Sequence, residues 1–153
     1  MSLTFTSALD KIHREELEEL MFFHPQQERF TSNILRAVEQ YGSPRVTECE
    51  GKLRIELPSI TGVQTLFAVV QDVTHWELVG VVVYTRTPDG VILILHVVVK
   101  DEYTKQSVHS DQLVAVSLIQ ELCRIARQIR GIHSVQLGYS RNKILLKTEL
   151  LRV

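Results

Sequence analysis

The chain has little of what marks specialised protein classes. Its 153 residues include only two cysteines, Cys49 in an acidic loop, E48-C-E50, and Cys123 in the apolar part of a helical pattern. Such unlike settings predict two unpaired thiols in a reducing compartment rather than a disulfide. Neither a C-x-x-C nor an H-x-x-x-H spacing occurs, so a structural zinc site has no ligand pattern and no metal is expected. The longest apolar run, Val91 to Val99, is interrupted by His96 and falls far short of the about 20 residues a membrane-spanning helix needs. The opening residues, M-S-L-T-F-T-S, lack the basic and apolar regions of a signal peptide, so the expectation is a cytoplasmic protein with no membrane association. A formal net charge of -1 gives no general attraction for nucleic acid, which needs clustered Lys and Arg. What remains is 44% apolar and 23% charged residues, the balance of a globular protein. The length suits a single domain over 1–153, able to bury roughly two-thirds of its unfolded surface.

Leu9, Ile12, Leu17, Leu20 and Met21 recur at helical spacing behind Ser7, which forms an S-x-x-D capping box with Asp10. The pattern predicts a helix over about 8–21, with E15-E-L-E-E19 as its solvated face. Pro25 disfavours helix at His24 but fits the first turn of a second helix. That helix carries an apolar stripe of Phe30, Ile34, Leu35, Val38 and Tyr41 and stops at Gly42 and Pro44. From residue 52 the period changes to two. K52-L-R-I-E-L57 alternates apolar and charged residues, P58-S-I-T-G62 turns the chain, and T65-L-F-A-V-V-Q71, E77-L-V-G-V-V-V-Y-T-R86 and V91-I-L-I-L-H-V-V-V99 follow as Val- and Ile-rich strands. T87-P-D-G90 is a hairpin turn, because Pro presets φ, Asp bonds forward to the backbone and Gly accepts positive φ. Ser110 or Asp111 then caps a long helix running to Arg130, with Val114, Leu118, Leu122, Ile125 and Ile129 inward and Gly131 as its stop. H133-S-V-Q-L-G-Y139 reads as a strand, and I144-L-L-K-T-E-L-L151 as a final strand or a short helix.

With L3-T-F5 as a candidate first strand, the order is strand, two helices, an antiparallel meander, a long helix and a further strand. That order resembles the GNAT superfamily of acyl-CoA-dependent acyltransferases. E77-L-V-G-V-V-V-Y84 resembles the family's third strand, V91-I-L-I-L-H-V-V-V-K-D-E-Y103 its fourth strand and exit, and G131-I-H-S-V-Q-L-G-Y-S-R-N142 the strand after its main helix. The similarity covers about residues 65–142. It implies an α+β fold: a mixed, mainly antiparallel sheet with two N-terminal helices and one long helix packed on it. It also implies acetyl-CoA or another acyl-CoA as the ligand, with Val97 and Val99 pairing the pantetheine amides and the 105–111 turn holding phosphates.

In the family, a basic or amide residue and two spaced glycines let backbone N–H groups meet the pyrophosphate at a helix N-terminus. The corresponding residues here, about Gln106, Ser107, Val108, His109, Ser110 and Asp111, include no glycine. Val108 and His109 crowd the backbone and Asp111 repels an anion. Lys105, Ser107, His109 and Ser110 are the candidate phosphate contacts that remain, which marks the chain as divergent and lacking the glycine-rich loop.

Acyl transfer to an amine needs a base and a proton donor for the departing thiolate. The family's usual donor is a Tyr in the helix after the fifth strand, and no Tyr follows Asn142 here. Tyr139 and Tyr103 are the nearby phenols. Glu77, His96 and Tyr139 are the catalytic candidates, each with a plain structural alternative. His96, for instance, could face a cleft, although a hydrogen-bonded core histidine is the commoner case. A second functional class stays open beside the enzyme: a non-catalytic interaction or homodimerisation module, accessory or chaperone-like, holding a protein partner on an apolar patch. Arg124, Arg127 and Arg130 share a helix face, but no aromatic interleaving accompanies them, so nucleic acid is not the expected partner.

Overall fold

The computed structural model describes residues 2–22, 44–100, 114–137 and 143–145. Its main element is a six-stranded sheet in the order β1-β5-β6-β7-β8-β9. The strands are β1 (Ser2–Thr6), β5 (Gln64–Gln71), β6 (Trp76–Arg86), β7 (Val91–Val99), β8 (Ser134–Leu137) and β9 (Lys143–Leu145). All neighbours run antiparallel except β7 and β8, which pair in parallel from Val91–Ser134 to Ile94–Leu137. A parallel pair needs a crossover, and the long helix α2 (Val114–Arg127) supplies it. A second, three-stranded sheet in the order β2-β4-β3 is built from β2 (Leu9–Asp10), β3 (Arg45–Cys49) and β4 (Lys52–Glu56). Among the described residues, no helix is long and apolar enough to cross a membrane.

The large sheet is covered on both sides, which explains why its central strands read as continuous apolar runs. Leu66, Ala68, Val70, Val79, Val82, Tyr84, Ile92 and Ile94 face the α2 side, packed with Val114, Leu118, Leu122 and Ala126. Phe67, Val69, Leu78, Val81, Val83 and Leu95 face the other side. There they meet α1 (Arg14–Phe22), through Leu17, Leu20 and Met21, and the small sheet, through Leu53 and Ile55. The hairpin at 87–90 forms as its residues predict: Thr87 N–H donates to Val91 O at 2.8 Å, and Gly90 sits at φ 87°.

The first segment departs from the sequence pattern. Ser7 is not the cap; Asp10 is, accepting the Ile12 N–H at 3.0 Å and opening a 3-10 turn, Lys11–His13, ahead of α1. Residues 9 and 10 pair instead with Leu53 and Lys52, because β4 offers Leu9 a wholly buried seat. The acidic stretch around Cys49 is likewise no loop up to that residue. It closes β3, which pairs β4 across a tight turn in which Glu50 and Gly51 both take positive φ. Cys49 is exposed, Cys123 is buried in α2, and both are free thiols. The expected helix over 25–41 and the tail beyond Leu145 lie outside the described residues.

Candidate functional site

Strand β7 carries the features that set it apart from an ordinary core strand. Val83 pairs with His96 but Tyr84 pairs with Ile94, so Leu95 is an extra residue and β7 bulges there. A bulge bends its strand and re-aims the side chains around it. His96 shares a pair with Val83 and so lies on the α1 side of the sheet. It is 7% exposed, and its Nε2 is buried with no hydrogen-bond partner. Burial pushes its pKa down to about 4, because the imidazolium would be stripped of water with nothing to replace it. The ring is therefore neutral at physiological pH.

Beyond the bulge, β7 continues through Val97, Val98 and Val99. Among the described residues its ladder with β8 ends earlier, at Ile94–Leu137. On the other edge, Gly80 pairs with Val99. A Cβ on Gly80 would stand 3.0 Å from both Leu118 Cδ1 and Val114 Cγ1. The first turn of α2 is thus pressed onto β6 beside the end of β7, which only a residue without a side chain allows.

At that same end, Glu77 is held by two basic side chains. Lys100 Nζ donates to its Oε2, and His75 Nε2 lies 3.1 Å from its Oε1. The Glu77 side chain is only 14% exposed, so the Lys100 ammonium offsets much of the cost of keeping a carboxylate there. Lys100 is itself fixed through its main chain, whose N–H donates to Val79 O at 2.8 Å. Glu77 pairs with Val70, a residue of the α2-side core, and therefore lies on the sheet face opposite to His96. The fold does not bring these two candidates together.

Val97 is half-buried against the α2-side core and Val99 is buried within it. Lys105, Ser107, His109, Ser110 and Tyr139, with Gln106, Val108, Asp111 and Tyr103, lie outside the described residues. Sequence reasoning missed the bulge, since a run of nine mostly apolar residues hides a break in alternation. It also missed Lys100 as the partner of Glu77. The signal for that pair was present: opposite charges at the outer ends of two strands joined by one hairpin.

No protein-family model matches the sequence, and no curated protein matches it. Structural comparison does find likeness. A crystal structure of a GNAT-family acetyltransferase from Staphylococcus aureus Mu50 superposes with a TM-score of 0.52, covering 89% of this chain and 73% of that one at 13% identity. The fold is that of the GNAT acetyltransferases. The chain is divergent within that fold, and it is the mixed, mostly antiparallel curled sheet with α2 packed on it that the likeness rests on. A second GNAT-family structure, from Desulfovibrio desulfuricans, gives a TM-score of 0.44 at 17% identity, over 88% of this chain and 71% of its own, too loose to add to the assignment.

Proposed function

We propose that this GNAT-fold protein is an acyl-CoA-dependent N-acyltransferase with acetyl-CoA as its donor. The supporting observation is β7 itself. It bulges at Leu95, carries beside the bulge a buried imidazole whose Nε2 has no hydrogen-bond partner, and runs on through Val97 and Val99 past its last described pair with β8. Main-chain groups of Val97 and Val99 would pair the pantetheine amides, and Lys105, Ser107, His109 and Ser110 would meet the phosphates. In the reaction, the acceptor amine attacks the thioester carbonyl carbon, a C–N bond forms and the C–S bond breaks. The amine nitrogen loses a proton and the departing thiolate gains one. His96, neutral and with its Nε2 buried, is a positioning residue: from the core side it fixes the bend of β7 and so holds the main chain of Val97 and Val99 where the thioester would lie. Glu77, locked by Lys100 and His75 on the opposite face, serves as an electrostatic anchor for that end of β7 rather than as the base. Tyr139 is the candidate donor to the thiolate.

Thermal melting with and without millimolar acetyl-CoA tests the reading. A ligand that binds only the folded state stabilises it by about 2.7 kcal/mol at a hundred times its Kd, so the midpoint should rise by several degrees. An unchanged midpoint at saturating concentrations would sink the acyltransferase reading. It would favour a non-catalytic interaction module, in keeping with the absence of glycine from K105-Q-S-V-H-S-D111.

A further inference from the structure

The large sheet ends on β1, and among the described residues no strand pairs with the outer side of that edge. The ladder with β5 fixes which main-chain groups of β1 face outward. Ser2 pairs with Gln71 and Thr4 with Val69, and each hydroxyl donates to its partner's carbonyl oxygen, at 3.3 Å and 3.4 Å. Those carbonyls therefore point at β1, so Ser2, Thr4 and, by the same alternation, Thr6 are the residues that exchange main-chain hydrogen bonds with β5. Leu3 and Phe5, between them, turn their N–H and C=O groups away from the sheet. Their side chains lie half-buried against the α2-side core, whereas Thr4 is exposed on the opposite face.

Exposed sheet edges are commonly blunted by charge, proline or a bulge. Of the other outer strands, β3 carries Arg45 and Glu48, and β9 carries Lys143. The β1 sequence, S-L-T-F-T, has no charged residue, no proline and no glycine, and its register with β5 is unbroken. Its outward donors and acceptors are also symmetric about Thr4, so the strand complements a reversed copy of itself. With Thr4 facing Thr4, Leu3 of each copy exchanges both main-chain bonds with Phe5 of the other. The side chains agree with that register: on the α2 face every Leu3 lies opposite a Phe5, and each covers apolar surface that the single chain leaves half-exposed.

We infer that β1 is a dimerisation edge, to which a second copy of this chain adds its own β1 antiparallel with Thr4 facing Thr4 across the two-fold axis. One sheet then runs through both copies. The seam is about 17 Å long at about 3.4 Å per residue, short enough that the dimer forms reversibly with rising concentration. Strands β5 and β6 lie between this edge and β7, so the pairing is independent of the proposed transfer.

Sedimentation velocity of the full-length protein over a micromolar concentration series tests the inference. The mass should rise from 17.5 kDa toward twice that value. Thr4→Lys leaves the main-chain ladder with β5 in place and sets two ammonium groups opposite each other, so it should weaken the dimer at least tenfold; Thr4→Glu should do the same with two carboxylates. An equimolar mixture of the two variants should restore the dimer, because opposite charges then face each other, and that rescue is specific to the Thr4-on-Thr4 register. Leu3→Pro removes an outward N–H that β5 does not use, as an edge strand tolerates, and should also leave a folded monomer. Circular dichroism melts at low concentration check that each variant folds. A monomer at every concentration, a dimer equally tight in Thr4→Lys and Leu3→Pro as in the parent, or a mixture that stays monomeric would overturn the inference.

Discussion

On the α2 face of the large sheet, Leu66, Ala68, Val70, Val79, Val82, Ile92 and Ile94 meet Val114, Leu118 and Leu122 in an apolar packing contact. On the α1 face, Phe67, Val69, Val81, Val83 and Leu95 make an equally buried layer, yet polar side chains interrupt it. Thr65, Thr85, His96 and Ser134 are the buried polar residues among those described, and all four lie on that face. Thr65 and His96 flank Val83 in one row, Thr85 pairs with Leu93, and Ser134 alternates with Val135, which points to α2. Two of the four, His96 and Ser134, keep a buried polar atom without a hydrogen-bond partner. An orphaned buried group costs about 1–3 kcal/mol; the two such groups within the sheet lie on the α1 side, and on the other side Arg127 Nε, at the end of α2, is a third. A fold that only had to be stable would spread or remove such groups. The α2 face is where the protein is held together, and the α1 face is where it can afford chemistry.

The comparison breaks most visibly at Leu118, which is fully buried and seated over Gly80. Leu118→Ala removes contacts on the apolar packing face, and the cavity cannot collapse easily because the helix already lies as close to β6 as Gly80 allows. A loss of about 2–5 kcal/mol is expected, measured as a lower urea midpoint at unchanged slope. A loss under about 1 kcal/mol would mean that α2 can settle into the gap and that this face is not the rigid one.

How much of this division was legible in the sequence depends on the element. The strands over 65–71, 77–86 and 91–99 stood out because both faces are buried, and Thr87-Pro-Asp-Gly90 fixed the turn between the last two through backbone chemistry that is local. The long helix was legible for the same reason, although it ends at Arg127 rather than at the expected Arg130, with Gly131 at φ 88° in the turn beyond it. What was hidden is non-local. β3 shows only Val46 as a buried position, and β2 is two residues long; both exist because β4 lies between them. Ser7 was read as the cap with Asp10 as its box partner, and the pairing of Leu9 with Leu53 moves the cap to Asp10. For the site, His96 was conspicuous as the one polar residue in β7. Its face, however, depends on a bulge that no periodicity reveals, and so the separation of His96 from Glu77 could not be foreseen.

The polar face should also show itself in pH dependence. The His96 pKa is about 4 in the folded chain against an ordinary 6.5. Above pH 6.5 the ring is neutral in both states and its contribution to stability is fully present. As pH falls from 6.5 toward 4, the unfolded chain takes up a proton that the folded chain refuses, and stability is lost. The difference amounts to about 3 kcal/mol across that window. His96→Leu removes this term while leaving the carboxylates to titrate as before. The gap in unfolding free energy between variant and parent should therefore widen steadily from pH 7 to pH 4. In the same variant acyl transfer should fall while acetyl-CoA still raises the melting midpoint. A gap that stays constant with pH would show that His96 is reached by water or a proton partner, and the contrast between the faces would weaken.

The smallest effect, and the sharpest probe of the contrast, belongs to Ser134. Its side chain is fully buried, its Oγ has no partner, and its strand neighbours are Val91 and Leu145 in the ladder. Ser134→Ala deletes one hydroxyl without altering the backbone. On a face built for packing, shaving an atom from a fully buried side chain would cost stability. Here the atom removed is one that gave up its water on folding and received nothing in return. The expected outcome is a stabilisation of about 1 kcal/mol, read as a higher urea midpoint. Because Ser134 and His96 lie on different strands and some five residues apart along the β7 ladder, Ser134→Ala should add to His96→Leu without coupling. A destabilised Ser134→Ala would show that the hydroxyl is satisfied in solution, and the uncompensated polarity of this face would then reduce to His96 alone.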